Sequence, residues 1–301
     1  MGPASARPLP ASNSNPCSVG VSESNCDSCL MKPPIIESRL TEEQLALYYE
    51  NGYLSVDRVA GDQEIAKIRD LYDRIFASRT GRNAGDHFDL AGTDEEGKEP
   101  LLVQILQPGK YFPELRETAL YRNVCGLIRQ LLGPEAKFFG DHAINKPPRY
   151  GAETPWHQDE AYWNPAKDHQ AISVWIPLQP ATVLNGCMYF IPGSHRLEVL
   201  PHRPIGGDPR VHGLEVVPGI FDFSGAVPCE LPTGGATFHG GRMLHYTPPN
   251  STGDYRRALI IMGGLTPIPR LAPRRFPWTE IQNTARARRA ARNSTSSLSR
   301  S

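Results

Sequence analysis

The sequence predicts an α+β protein, with a helical N-terminal part supporting an antiparallel β-sandwich or jelly roll. Two observations carry this. Before residue 133, apolar side chains recur at helical spacing of three and four. After Pro134, short segments rich in Val, Ile, Phe and Thr alternate with Gly and Pro, with no long helix between them. That pattern excludes a parallel sheet built of strand-helix-strand units.

The elements follow in order. Thr41-Glu42-Glu43-Gln44 is a capping box, and Leu45, Leu47 and Tyr48 supply an apolar side until Gly52 ends the helix. Asp62 opens a second helix, with Ile65, Ile68, Leu71, Tyr72, Ile75 and Phe76 on one side. A third is expected from Glu117 to Leu132, with Gly133 after it. The strands expected next are KFFGDHAIN, QAISVWIPL, GCMYFIP, LEVVP, GATFHG and RRALIIMG. The organisation is then a disordered leader over 1–36 and a folded body over 37–268. The body divides into a helical part, 37–133, and a β core, 134–268. A basic tail over 269–301 is expected to be loose, with a short helix at TARARRAAR. Cys26 and Cys29 in the leader form a CxxC without a second pair at zinc-ribbon spacing, and read as free thiols.

The chain has 301 residues with 32 basic and 32 acidic side chains, a net charge of zero. The sum hides an asymmetry. From Pro267 onward there are eight arginines against the single acid Glu280, so the tail carries +7 and the body −7. Bulk attraction to nucleic acid is not indicated, and a tail without interleaved aromatics at its arginines reads as a solvated end. No apolar run is long enough for a membrane span, and no secretory signal is visible. Six scattered cysteines point to a reduced, cytoplasmic setting.

The chemistry starts at His157-Gln158-Asp159. On an extended strand, residues i and i+2 leave on the same side, so this imidazole and carboxylate point together. They are two thirds of a facial triad, the set that holds Fe(II) and leaves coordination positions open. The third ligand must come from a distant strand, and GGATFHGGRMLHYTPPN offers His239 and His245. A turn over 248–253 then leads to Tyr255-Arg256-Arg257, opening the strand ALIIMG, and a hairpin is expected to return that strand beside His245. A buried arginine there requires an anion, because the guanidinium stays charged when desolvated and its fork matches a carboxylate.

With these residues the chain resembles the phytanoyl-CoA dioxygenase-like branch of the Fe(II)/2-oxoglutarate-dependent oxygenases. The resemblance spans 41–266 and rests on NGYLSV, INKPP, WHQDEAYW, AISVWIPL, NGCMYFIPGSHR and LHYTPPNSTGDYRRAL. It implies a double-stranded β-helix of cupin-like form. It also implies Fe(II) on His157, Asp159 and His245, and 2-oxoglutarate on Arg256, with Thr247 and Trp175 beside it. The expected reaction is oxidation of a small organic molecule, most simply hydroxylation, with O2 and 2-oxoglutarate converted to succinate and CO2 and with ascorbate supportive. The carboxylate of Asp159 argues against halogenation, because the related halogenases carry Ala or Gly there.

The sequence departs from the family in one loop. His239 and His245 stand six apart where the family often has five, so His239 stays a competing ligand. Arg257 competes with Arg256: both faces of ALIIMG are apolar, and only the family spacing favours Arg256. Gln104 and Lys146 are candidates to reach the cosubstrate pocket, and Tyr162 and Trp163 to wall the substrate. His142, His169 and His195 read as ordinary polar positions. Segments 78–100 and 197–230 are expected to set specificity, for a substrate of secondary or catabolic metabolism. The body lacks a basic cluster for the phosphates of CoA. The alternative from another class is a non-catalytic jelly-roll binding protein that keeps an inert metal site.

Overall fold

The computed structural model describes residues 36–149 and 151–298. The leader and its CxxC lie outside the described residues. The expected helices form. Helix α1, Glu42–Asn51, starts at the Thr41/Gln44 capping box and stops at Gly52. Strand β1 is Tyr53–Val56, and helix α2 is Asp62–Ala77. Strands β2, His87–Asp89, and β3, Val103–Leu106, precede a single turn, α3, Pro108–Tyr111. Helix α4, Ala119–Leu132, begins where the Thr118 hydroxyl accepts from the Tyr121 N–H.

The β core follows: β4 Lys137–Lys146, β5 Thr154–His157, β6 Lys167–Asp168, β7 Ala171–Pro177 and β8 Met188–Phe190. Next come β9 His202–Pro204, β10 Leu214–Val216, β11 Val227–Cys229 and β12 Ala236–Gly240. The last strands are β13 His245–Thr247, β14 Arg256–Gly264 and β15 Ile268–Pro269. Helices α5, Pro277–Glu280, and α6, Ala285–Leu298, end the described chain.

Two antiparallel sheets make the sandwich. The larger has seven strands in the order β1-β12-β7-β14-β4-β3-β2, and the smaller has four in the order β11-β8-β13-β5. Alternation along β14 sets the layers. Leu259 and Ile261 join Val174, Ile176 and Phe238 beneath the apolar sides of α2 and α4, including Ile65, Ile68, Leu120 and Val124. Ala258, Ile260 and Met262 face the other way, toward Trp175, Met188 and Phe190 inside the sandwich. Among the described residues, no helix is long and apolar enough to cross a membrane.

Two expectations are corrected. The hairpin between β13 and β14 does not form. Strand β13 pairs with β5 and β8, whereas β14 pairs with β4 and β7, so residues 248–255 cross between the sheets. Pro248 and Pro249 have no N–H to continue a ladder. Asn250 pins the crossover from inside, its Nδ2 donating to Asp254 O at 2.7 Å and Pro147 O at 3.2 Å.

The tail is not loose. Phe276 and Trp278 are buried with Ala161 and Leu214, and the Trp278 indole donates to Ala161 O at 2.9 Å. Arg274 reaches buried Glu160 at 2.6 Å, Arg289 pairs with Asp94, and Arg270 pairs with Asp168. Basic composition had suggested a solvated end; two aromatics and matching acids on the body supply the docking instead. Trp278→Ala should therefore cost about 3 kcal/mol of stability in urea unfolding, the usual range for a buried large side chain. A change below about 0.5 kcal/mol would mark the segment as detached.

Candidate active site

The triad is assembled by strand pairing. His245 is the direct cross-strand partner of His157, with ring centroids 4.1 Å apart. Asp159 follows through extended Gln158 and opens a short 3-10 turn, Asp159–Tyr162. Its Oδ1 lies 3.7 Å from His157 Nε2 and 3.6 Å from His245 Nε2. One ligand atom from each of the three residues falls within 4.8 Å of the others, a spacing that suits one metal ion.

The supporting contacts aim these atoms. His157 Nδ1 donates to Pro155 O at 2.7 Å and His245 Nδ1 to Met243 O at 2.8 Å, which leaves both Nε2 lone pairs free. The Ser173 hydroxyl donates to Asp159 Oδ2 at 2.6 Å, so Oδ1 remains for the metal. Burial pushes both histidines below their ordinary range. Burial alone would raise the Asp159 carboxyl, but the surrounding imidazoles of His245, His239 and His157 hold it well below. Neutral imidazoles and an ionised carboxylate are the states a cation requires.

The middle residue of the motif is anchored as firmly. Gln158 donates to Arg242 O at 2.7 Å and accepts from Leu200 N at 2.8 Å. Its own N–H donates to His202 Nε2 at 3.1 Å, while His202 Nδ1 donates to Leu200 O at 2.7 Å.

His239, the competing ligand, stands elsewhere. It lies opposite Ser173 in the β12/β7 register, 3.5 Å from Asp159 Oδ2, the oxygen that Ser173 holds. It flanks the carboxylate rather than sharing Oδ1 with the other two. The Gly240-Gly241 pair between the two histidines has a local use. A Cβ on Gly241 would come within 2.5 Å of the Trp163 ring, and Gly241 O accepts from Glu160 N at 2.9 Å. The glycine lets the turn that carries Asp159 seat against this loop.

The anion end of the cavity belongs to Arg256. It is 1% exposed, and its Nε and Nη1 have no hydrogen-bond partner among the described residues. Its guanidinium lies 5.2 Å from the Trp175 ring centroid. Burial brings it down to about 10, so it is charged at neutral pH. Arg257 turns to the helix face and pairs with Asp73 at 2.6 Å. Alternation thus does choose between the two arginines, because one apolar face of β14 is covered by helices and the other lines the cavity.

Lys146 does not reach the cosubstrate pocket as expected. Its ammonium donates to Thr247 Oγ1 at 2.8 Å, Pro248 O at 2.6 Å and Thr247 O at 3.3 Å, so it stands behind Thr247. The consequence is useful. Thr247 Oγ1 already accepts from Lys146, and its own hydrogen is free to be donated into the cavity.

That cavity is about 440 Å³ and contains the triad, Thr247, Trp175, Arg256, Gln104, Tyr162 and Trp163 on its wall. Gln104 Nε2 meets His142 Nδ1 at 3.0 Å, so His142 is a wall residue and not an ordinary polar position. The expected specificity segments contribute Leu90 and His212. Sequence reasoning missed Ser173, whose signal was its place two residues before Trp175 on one strand face. It also missed Thr279, Gln282 and Arg286, which the tail brings to the wall. A wider cleft of about 860 Å³ beside loop 91–101 contains none of the triad.

Comparison with known proteins agrees with this geometry. Residues 48–258 match the phytanoyl-CoA dioxygenase (PhyH) family. The chain belongs to that family. PhyH-family membership makes it an oxidoreductase of the Fe(II)/2-oxoglutarate-dependent dioxygenase class, and a metal-competent triad agrees with that. Among solved structures, EvdO2 from Micromonospora carbonacea var. aurantiaca complexed with 2-oxoglutarate is 38% identical, with a TM-score of 0.71, covering 81% of this chain and 98% of its own. A probable alpha-ketoglutarate-dependent hypophosphite dioxygenase from Stutzerimonas stutzeri is 28% identical over 222 residues, 73% of this chain and 77% of the relative. The carbocyclase SnoK from nogalamycin biosynthesis, 22% identical with a TM-score of 0.61 over 78% of this chain and 87% of its own, shares the fold.

The anchoring of Gln158 gives a pH prediction. Burial pushes His202 down to about 4 from an ordinary 6.5. Between those values the unfolded chain binds the proton that the folded chain excludes, so stability falls as pH falls through this window. Urea midpoints should drop from pH 6.5 to 4, and His202→Asn should flatten that slope. A slope unchanged by the substitution would contradict the assignment.

Proposed function

We propose that this chain binds Fe(II) through His157, Asp159 and His245, and anchors the far carboxylate of 2-oxoglutarate on Arg256 and the Thr247 hydroxyl. There it oxidises a small organic molecule of secondary or catabolic metabolism. One observation carries the reading: a fully buried guanidinium with unpaired N–H groups, in the same cavity as a metal-competent triad. An unpaired buried charge is costly, and a dicarboxylate cosubstrate satisfies it. The supporting relative at 38% identity is the one described with 2-oxoglutarate.

Bound iron would supply the activation of O2, with 2-oxoglutarate leaving as succinate and CO2 and one oxygen atom passing to a substrate C–H bond. The chain's own residues do the placing. Ser173 holds one oxygen of Asp159, and Pro155 O and Met243 O hold the imidazoles. Lys146 turns the Thr247 hydroxyl toward the cavity, and Trp175 backs the guanidinium. The apolar residues Ile260 and Met262 keep that wall dry.

With Fe(II), ascorbate and 2-oxoglutarate, the protein should form succinate slowly even without substrate, and His157→Ala should abolish it. Arg256→Gln should raise the KM for 2-oxoglutarate at least about tenfold, the loss expected for a charged hydrogen bond of about 1.5 kcal/mol or more. Arg257→Gln should leave it within about twofold, as for an exposed ion pair. Equal succinate formation by His157→Ala and the natural chain overturns the assignment.

A further inference from the structure

We propose that Arg286, on the C-terminal helix α6, is a substrate-recognition residue that takes a carboxylate or other oxyanion of the molecule being oxidised. The inference rests on the reading above and names a chemical class for the substrate.

The wall that holds Arg286 lies beyond the family match. The family match ends at residue 258, whereas Thr279, Gln282 and Arg286 line the same cavity as the triad. The docking of α6 is close: a Cβ on Gly85, whose φ is +78°, would stand 2.6 Å from Arg286 O. Arg286 Nε donates to Gly85 O at 2.8 Å, and Nη1 meets His212 Nε2 at 2.9 Å. Its guanidinium covers the Phe88 ring at 4.3 Å from the centroid. Three fixed contacts hold the fork in one plane and leave Nη2 without a hydrogen-bond acceptor among the described residues.

Four other arginines of the tail are paired with acids, while Arg288 is held by Asn283. Arg270, Arg274, Arg275 and Arg289 each meet a carboxylate. Among the described residues no carboxylate lies within ion-pair distance of Arg286, though burial pushes its pKa down. Among the described residues the only carboxylate on the cavity wall is Asp159, which belongs to the triad. Arg286 is therefore a cavity guanidinium without a direct ion pair among the described residues, with Asp86 and Asp94 acting on it only from beyond contact distance, and an oxyanion at Nη2 would complete it.

The groups around it also donate. His212 is pushed down to about 3 by burial, with Arg286 adding to the shift, so it is neutral. Its Nε2 accepts from Arg286, which places its hydrogen on Nδ1. The Tyr162 hydroxyl accepts from Leu214 N at 2.6 Å and keeps its own hydrogen to donate. A wall of donors without a spare carboxylate fits an oxyanion and rejects a cationic amine.

The test uses the full chain with Fe(II) and 2-oxoglutarate without oxygen, read by the charge-transfer absorption of that complex. Benzoate, benzamide and benzylamine are titrated as probes. Benzoate should perturb the band at a concentration at least tenfold lower than benzamide, and benzylamine least of all. Arg286→Gln should erase the preference while keeping the band and its 2-oxoglutarate affinity. If that variant does not hold the band, Arg286→Met decides: a lost preference supports the proposal, and an unchanged one overturns it. No preference in the natural chain, or one that survives in Arg286→Gln, overturns the proposal. A band that never forms overturns the metal and cosubstrate reading itself, and this inference falls with it.

Discussion

The central strand of the larger sheet, Arg256–Gly264, is buried on both faces, and the architecture depends on that. One face needs a cover of helices, and α2 and α4 provide it. The other closes the sandwich and becomes the floor of a cavity. Strand alternation then forces a choice at the strand's entrance. Arg257 goes to the helix side, where Asp73 compensates it, and Arg256 goes inside, where no carboxylate of the described residues does. A charge buried without a partner is tolerated only where a ligand completes it. The same sheet delivers Ser173, Trp175, Gln104 and His142 to that cavity, and the facing sheet delivers His157, His245 and Thr247.

Net neutrality acquires a structural meaning here. The acidic body and basic tail are two surfaces that meet. Arg274 and Arg289 find Glu160 and Asp94, both largely buried, and the aromatics Phe276 and Trp278 fill the gap between them. Exposed pairs such as Arg270–Asp168 contribute little each. The aromatic burial and the enclosed pairs hold the segment. Anion binding is thus a property of particular sites inside an otherwise acidic body, rather than of a general positive field.

Much of the site was legible because its chemistry is local in sequence or fixed in spacing. His157 and Asp159 need only one extended residue between them, and His245 and Arg256 stand at the family's separation. The three helices were legible from caps and periodicity. What was missed depends on contacts that a linear pattern does not carry. Lys146 points inward, as its strand position implies, yet three oxygens across the sheet junction capture its ammonium. The β13/β14 hairpin looked natural from the turn residues, but the two proline residues and Asn250 route the chain between sheets. The tail was misjudged because arginine composition outweighed two aromatic residues that only a docking surface explains.

The buried guanidinium of Arg256 is the centre of the cosubstrate site, and binding of paired ligands tests its role most directly. Calorimetric titration of the Fe(II)-loaded protein without oxygen would compare 2-oxoglutarate with 2-oxobutyrate, which has the same chelating end and no far carboxylate. The predicted result is at least tenfold tighter binding of 2-oxoglutarate, a difference that disappears in Arg256→Gln. Equal affinity for the two acids in the natural chain would contradict it.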